Sequence, residues 1–366
     1  MLRSGSGRPD VLIFAAVVLL LAIGLVMVMS AGSVTGMIEY GDPYHHVKRQ
    51  LVWSVLGLLA MAVLVRIDYR MWRLSTGPLL AAAFLGLVLV LFAGDEIAGA
   101  RRWIGFGLFN VQPSEIAKVA LINYLAAYLS ARRERLESFL AGFLPPMLVV
   151  GAAFVLILLE PDFGTGVALV ATSMVVLFAG GARVEHLGVA ALLAVPAFGL
   201  LIYIEPYRLR RLLAFLDPWA DRMDAGWNVV QSLLALGSGG LFGLGLGDGR
   251  QKYLYLPAQH TDFIFAILGE ELGFIGTSTV IALFVVLAWR GYRTALKAPD
   301  VYGCMLAVGI TTMIVLQALL NIGVVTGSLP ATGITLPFIS FGGSSLVVTL
   351  AAVGVLLNIS RYGTRV

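Results

Sequence analysis

The sequence has little charge, a single cysteine and few histidines, and each shortage removes a class of protein. Only 13% of the 366 residues are charged while 59% are hydrophobic, against roughly 25% and 45–50% in ordinary soluble domains. A soluble fold of this size cannot cover that much apolar surface. Cys304 is the one cysteine, which excludes an intramolecular disulfide and a thiolate metal cluster. Four scattered histidines argue against a zinc site. No Lys-Ser or Lys-Thr completes a phosphate loop around Gly243, Gly245, Gly247 and Gly249, and no strand-to-helix context surrounds them, so no nucleotide is expected. No Ser-x-x-Lys arrangement sits in a soluble domain, so peptide cross-linking is not expected of this chain. Repeats of about 20 to 50 residues and low-complexity tracts are also missing.

What is present is a succession of apolar runs, such as Val11 to Met29, Leu51 to Val65 and Leu79 to Phe92. About 20 apolar residues cross the roughly 30 Å hydrocarbon core as a helix. The pattern predicts an all-α integral membrane protein, a bundle of about ten transmembrane helices in one membrane domain over residues 1–366. Spans are expected at about 11–32, 47–65, 75–93, 113–130, 139–158, 165–181, 185–204, 262–289, 301–326 and 339–359. The first run follows Arg3 and Arg8, exceeds a signal-peptide core and lacks a cleavage site, so it reads as a retained span.

An even number of spans puts both termini on one side. Lys and Arg crowd the short loops of that side (Arg66, Arg70, Arg73, Arg132, Arg133, Arg135, Arg290, Arg293, Lys297), whereas the opposite short loops hold Lys48, Arg49, Arg101 and Arg102. The positive-inside rule then makes both termini cytoplasmic. The net charge of +4 and pI near 9.2 mark topology, and nucleic acid is not an expected partner. A long outer loop, about 205–260, carries Arg208, Arg210 and Arg211, an amphipathic stretch from Trp227 to Leu236, and a glycine-rich tract. Loops of this length are usually functional.

Ionisable residues inside spans are functional candidates by default. Gln112-Pro113-Ser114-Glu115-Ile116-Ala117-Lys118 places Pro113 at a helix start and puts Glu115 and Lys118 on one face. The pair reads either as a salt bridge that makes Lys118 tolerable, or as a cation held in a polar cavity for an anionic substrate. Asp262 lies where the long loop meets an apolar helix, after His260 and Thr261. It reads as an N-cap, or as a general base whose pKa is raised beside Phe263 and Phe265. Glu270 and Glu271 diverge by about 100° and are not a dyad. Arg101-Arg102-Trp103 and Arg208 to Arg211 read as interfacial anchors, or as guanidinium forks for pyrophosphate. Glu160-Pro161-Asp162-Phe163-Gly164-Thr165 is a tight outer turn in which Asp162 caps a helix, and Gly342-Gly343-Ser344-Ser345 opens the last span with small residues.

At these residues the chain resembles the SEDS family (shape, elongation, division and sporulation proteins) over about Asp10 to Tyr362. The resemblance lies in Gly99-Ala100-Arg101-Arg102-Trp103-Ile104, the 112–118 and 160–165 motifs, His260-Thr261-Asp262-Phe263-Ile264-Phe265 with Gly269-Glu270-Glu271-Leu272-Gly273, and Leu336-Pro337-Phe338-Ile339-Ser340-Phe341-Gly342-Gly343-Ser344-Ser345. Arg250 to Pro257 and Asn321 to Gly327 are closer to the division and sporulation branch (FtsW, SpoVE) than to the elongation branch (RodA). Phe341 stands where many members have Tyr.

The resemblance implies a peptidoglycan glycosyltransferase of the bacterial cytoplasmic membrane. It would join lipid II units into β-1,4 glycan on the outer face and release undecaprenyl pyrophosphate. It further implies Asp262 as the catalytic residue, and Arg101, Arg102, Glu115, Lys118, Arg208, Arg211, Lys252, His260, Thr261 and Ser344 as substrate-binding residues. A divalent ion such as Mg2+ is an alternative source of positive charge. Expected partners are a class B penicillin-binding protein and other divisome or elongasome membrane proteins. The competing reading is a lipid II flippase, for which many spans and intramembrane charges are equally suited.

Overall fold

The computed structural model describes residues 7–97, 100–107 and 109–363; Arg3 and Gly99, used above, lie outside the described residues. The helices are α1 (Val11–Tyr40), α2 (His45–Leu64), α3 (Met71–Leu74), α4 (Thr76–Ala93), α5 (Pro113–Arg132), α6 (Leu144–Leu159), α7 (Phe163–Ala179), α8 (Val184–Ile204), α9 (Pro206–Leu216), α10 (Trp227–Gly239), α11 (Ile264–Lys297), α12 (Val301–Val325) and α13 (Gly343–Ser360). A 3-10 turn (Arg133–Glu137) and a π turn (Phe139–Phe143) lead into α6.

Among the described residues, eight helical segments are long and apolar enough to cross a membrane, and α7 is a shorter apolar one. Helix α5 has spanning length, 20 residues, and carries the Glu115–Lys118 pair. These segments coincide with the expected spans. Helix α1 runs past its expected end at 32 because no proline or left-handed residue stops it before Gly41 (φ 69°), whose N–H bonds back to Gly36 and Met37. Its start is fixed by Asp10, whose Oδ1 accepts from the amides of Leu12 (3.0 Å) and Ile13 (3.2 Å).

The expected loop between the third and fourth spans is instead an antiparallel sheet of β1 (Asp95–Ile97), β2 (Ala100–Phe106) and β3 (Phe109–Val111). Cross-strand pairing satisfies backbone groups that would otherwise be stranded beside the bilayer.

Helix α12 is buried along most of its length, with α5, α7, α11 and α13 around it. Helix α8 buries none of its residues. It touches the body through Phe198, whose ring meets those of Phe154 and Phe163, and through His186, whose ring meets those of Phe139 and Phe143. At one end of the bundle the start of α1 meets the ends of α11 and α13 through Asp10, Arg290 and Ser360. The long 205–263 segment and the sheet occupy the other end.

That long segment is not a free loop. Helix α10 packs on α11 and α12, and Ser232 Oγ donates to the Val325 carbonyl at 2.7 Å. The glycine-rich tract then docks on a break in α11. Gly273 there has φ 66° and ψ −162°, which interrupts the helical hydrogen-bond ladder. Four of the groups freed by the break are used: Leu244 N and Gly245 N donate to the carbonyls of Glu270 and Glu271 (3.0 and 3.1 Å), and Phe274 N and Ile275 N donate to the carbonyls of Gly240 and Leu241 (2.9 and 3.2 Å).

A Cβ at Gly273 would overlap the Gly243 amide and the Leu241 carbonyl, and its φ is unfavourable for an L side chain. Gly273→Ala is therefore expected to lower stability by about 2 kcal/mol or more, read as a lower unfolding temperature in detergent. An unchanged temperature would show that the break is not required.

Candidate functional site

A cavity of about 610 Å³ opens at the end of the bundle that holds the sheet and the long segment. It collects charged side chains from six separate stretches of chain: Arg49, Arg102, Glu115 and Lys118, Asp162, Arg208 and Arg211, and Asp262. Thr261, His260, Gln317, Ser344 and Ser345 also line it, and Trp53, Trp103, Phe163 and Ile202 supply apolar wall.

Asp262 is not the cap of α11: the cap position is Phe263, and no side chain caps there. What fixes Asp262 is its backbone. The carbonyls of three consecutive residues are held from the distant end of the sequence: His260 O by Phe341 N (2.9 Å), Thr261 O by Ser340 Oγ (2.6 Å) and Asp262 O by Asn321 Nδ2 (2.7 Å). Asn321 is 1% exposed, and its amide also donates to Ile334 O at 2.7 Å. The Asp262 carboxylate faces the cavity and receives no hydrogen bond among the described residues. Burial pushes its pKa up to about 6, the positive charge of Arg211 opposes the rise, Asp162 adds to it, and Arg102 opposes it more weakly.

The arginines are held without being neutralised. Arg211 donates to Ala331 O (3.1 Å) and lies 4.3 Å from the Tyr207 ring centroid; burial lowers its pKa, with Asp262 opposing. Arg208, three residues earlier on the same helix face, donates to Leu201 O and stacks over Phe163. Arg102 donates to the carbonyls of Glu160 (3.1 Å) and Pro161. Asp162 accepts from Thr165 N (3.1 Å), capping α7, and from Gln112 Nε2 (3.2 Å). Behind it Glu160 is fully buried, and neither of its carboxyl oxygens has a hydrogen-bond partner among the described residues. Its pKa is pushed up to about 8, mainly by burial, which keeps it neutral at neutral pH.

Glu115 and Lys118 form a buried ion pair at 2.9 Å with side chains each 6% exposed. Lys118 also donates to Gln317 Oε1 (2.8 Å), and Glu115 accepts from Ser345 Oγ (2.9 Å). Ser344 Oγ accepts from Gln112 N (3.2 Å), tying the first turn of α13 to the entry of α5. The His260 ring lies 4.4 Å from that of His46. Burial first, then the charge of His46, lowers the His260 pKa to about 4, so it is neutral at working pH.

Two expected contacts lie elsewhere. Arg101 and Arg102 are neighbours on β2, and successive strand residues face opposite sides. Arg102 lines the cavity, while Arg101 is exposed and pairs across the strands with Glu96 at 3.6 Å. Lys252 is 3% exposed and outside the cavity. It pairs with Glu271 (2.9 Å) and bonds Ser30 Oγ (3.2 Å) and Gly247 O. The adjacent Glu270 accepts from Arg250 N (2.8 Å) and Gln251 N (3.2 Å). The two carboxylates and Lys252 thus pin the stretch that leads to Asp262.

Arg49, a topology marker by its position in the sequence, and Asp162, a helix cap by its position, both line the cavity as well. The cue for Asp162 was its place in a Glu-Pro-Asp turn at the same membrane face. No local signal marks Gln317 or Tyr207, and the Asn321 to Gly327 stretch points to a branch of the family without indicating a role for the Asn321 amide.

The described residues contain no group of three or more His, Cys, Asp or Glu side chains around a common point. A Mg2+ ion needs only one or two carboxylates together with substrate phosphates, and on the cavity wall Asp262 is the carboxylate that could supply that contact.

Comparison with known proteins adds the following. The FtsW/RodA/SpoVE family model, described as "Cell cycle protein", matches residues 10–365. Stage V sporulation protein E of Bacillus subtilis (strain 168) is 49% identical over 356 residues, 97% of each chain. A protein named probable peptidoglycan glycosyltransferase FtsW, from Geobacter sp. (strain M18), is 44% identical over 353 residues, 96% of each chain. A chain of the structure described as "Structural coordination of polymerization and crosslinking by a peptidoglycan synthase complex" superposes with TM-score 0.80 at 31% identity, covering 96% of this chain and 98% of that one. The crystal structure of the Thermus thermophilus rod shape determining protein RodA superposes with TM-score 0.74 at 31% identity, covering 98% of both chains.

Breaking a buried ion pair by removing one partner typically loses about 3–5 kcal/mol. Lys252→Met should therefore destabilise the protein by about that amount, and Lys252→Met with Glu271→Leu should recover part of the loss in a double-mutant cycle of unfolding temperatures. Additive losses would mean the two side chains are not coupled.

Proposed function

Because the chain belongs to the FtsW/RodA/SpoVE family of cell cycle proteins, we propose that its cavity joins lipid II units on the outer face of the cytoplasmic membrane, with Asp262 as general base. The chain is a multi-pass membrane protein and a peptidoglycan glycosyltransferase of bacterial wall synthesis. The reading with both termini cytoplasmic rests on the distribution of Lys and Arg between short loops. It puts the cavity, the sheet and the long segment outside.

Lipid II carries its sugar through an α-linked pyrophosphate, whereas the glycan is β-1,4-linked, so one inverting displacement suffices. The acceptor's 4-hydroxyl oxygen forms the bond to the donor's anomeric carbon. The bond from that carbon to the pyrophosphate oxygen breaks, and the hydroxyl proton passes to the Asp262 carboxylate. The carrying observation is the state of the three carboxylates that line the cavity. Glu115 is committed to Lys118 and Ser345, and Asp162 to the start of α7 and Gln112. Asp262 alone of the three keeps both oxygens clear of hydrogen bonds among the described residues. With its pKa near 6 it is mostly ionised at neutral pH yet basic enough to take a proton.

Negative charge grows on the leaving pyrophosphate. Arg102, Arg208 and Arg211 are anchored through carbonyls and rings rather than carboxylates. Their charge remains available to the leaving group. Lys118, by contrast, is matched by Glu115, so it contributes a fixed dipole to the wall.

The family neighbour drawn from a peptidoglycan synthase complex supports a class B penicillin-binding protein as the partner that cross-links the product. Other divisome or elongasome membrane proteins would join them. Between the polar cavity and the Asp10 end the buried core is mostly apolar, with Leu121, Phe284, Ile310 and Ile314, and the polar side chains buried there, such as Asn123, Thr172, Thr311 and Thr312, are uncharged. A flippase for a pyrophosphate headgroup would need charged groups through that depth.

The decisive comparison is polymerisation of purified lipid II by the chain with its partner, native against Asp262→Asn. Loss of product by about 10²–10⁴, with lipid II binding and partner association retained, is expected. Normal product from the variant would remove Asp262 as the base. Translocation of lipid II without product from either chain would make the protein a flippase.

A further inference from the structure

We propose that the Asp10 end of the bundle, opposite the catalytic cavity, holds a binding site for the phosphate of an anionic phospholipid, bound with its acyl chains along α1 and α11. A second cavity of about 420 Å³ lies there, between the entry to α1 and the last turns of α11, with Arg8, Asp10, Arg290, Arg293 and Lys297 among its lining residues. Four cations thus face one carboxylate.

That carboxylate is already used. Asp10 Oδ1 caps α1, and its Oδ2 pairs with Arg290, the Nε contact being 2.8 Å. Among the described residues Arg8, Arg293 and Lys297 have no ion-pair partner. Arg293 and Lys297 are four apart on α11, hence on one face. Two cations on a fixed helical frame and a third from the entry of α1 make a concave, positively charged receptor. A phosphate carries the oxygens and charge to fill it.

The apolar part of the site selects a lipid over a free anion. Val11 (68% exposed) and Leu12 (47% exposed) belong to the same cavity wall, and Leu296, one residue before Lys297, is 85% exposed. The cavity therefore runs out onto bare hydrocarbon-facing helix surface. Trp289, 55% exposed, sits under Arg290 and Arg293 at 5.4 and 5.8 Å from ring centroid to guanidinium carbon. A tryptophan under arginines marks the headgroup level of a bilayer. Cations, headgroup-level indole and exposed aliphatic surface together fit a phosphodiester with acyl chains. The bland alternative is that these cations only orient the chain and complement the α11 C-terminus, in which case they would show no preference among bound lipids.

The test uses the full purified chain in neutral detergent, with lipid retention read by native mass spectrometry. The probes are phosphatidylglycerol, phosphatidylcholine and inorganic phosphate. The native chain should retain phosphatidylglycerol about tenfold or more over phosphatidylcholine, and inorganic phosphate at the same concentration should not displace it. Arg293→Gln with Lys297→Gln should bring the two lipids to near parity. Arg293→Lys with Lys297→Arg, which keeps both charges, should restore the preference and guards against a folding defect. Equal retention of the two lipids by the native chain, or a preference that survives the double Gln variant, would overturn the proposal. Displacement by inorganic phosphate would assign the site to a free anion instead.

Discussion

Three backbone carbonyls, those of His260, Thr261 and Asp262, are each held by a group more than fifty residues further along the chain. The active-site account depends on this clamp. A carboxylate on a connection between helices would ordinarily move with the connection. Here α12 supplies Asn321, and the turn before α13 supplies Ser340 and Phe341, so the carboxylate is fixed relative to the most buried helix of the bundle. Buried polar groups of this kind are held by their hydrogen bonds, since an unsatisfied one loses about 1–3 kcal/mol. From the other side, Glu270, Glu271 and Lys252 hold the glycine-rich tract on the break in α11. The segment carrying Asp262 is therefore anchored at both of its ends.

The electrostatics follow from which charges are paired inside the protein and which are left for substrate. Glu115 and Lys118 cancel, and Asp162 is spent on helix α7. Glu160, unpartnered and buried, stays neutral at neutral pH, so Arg102 is not matched by it. The cavity consequently keeps an excess of positive charge from Arg102, Arg208 and Arg211 around a single carboxylate whose oxygens are clear. Arg211 both tempers the rise in the Asp262 pKa and faces the same cavity, so base strength and leaving-group stabilisation share a side chain.

Much of this was legible in the sequence, because a membrane imposes length and polarity on every span. The expected spans matched the helices closely, and Asp262, Glu115, Lys118, Arg102, Arg208 and Arg211 stood out as ionisable groups at or inside span ends. What was not legible depends on strand parity or on distance in sequence. Arg101 and Arg102 look equivalent until β2 turns them to opposite faces. Lys252 looks like a substrate ligand until Glu271, nineteen residues away, is found beside it. Asn321 sits in an ordinary apolar helix, and only the fold shows that its amide grips the Asp262 carbonyl. The sheet between α4 and α5 escaped because its strands are short.

The central claim is that Asp262 acts as a base in an environment of raised pKa, tempered by Arg211, and its most direct test is the pH dependence of kcat/KM for lipid II polymerisation. Activity should fall tenfold per pH unit below an apparent pKa near 6, where the carboxylate takes up a proton. In Arg211→Gln the loss of the opposing positive charge should move that limb to higher pH, beyond any change in the plateau. An acid limb near pH 4, or one that stays in place when Arg211 is replaced, would contradict the account.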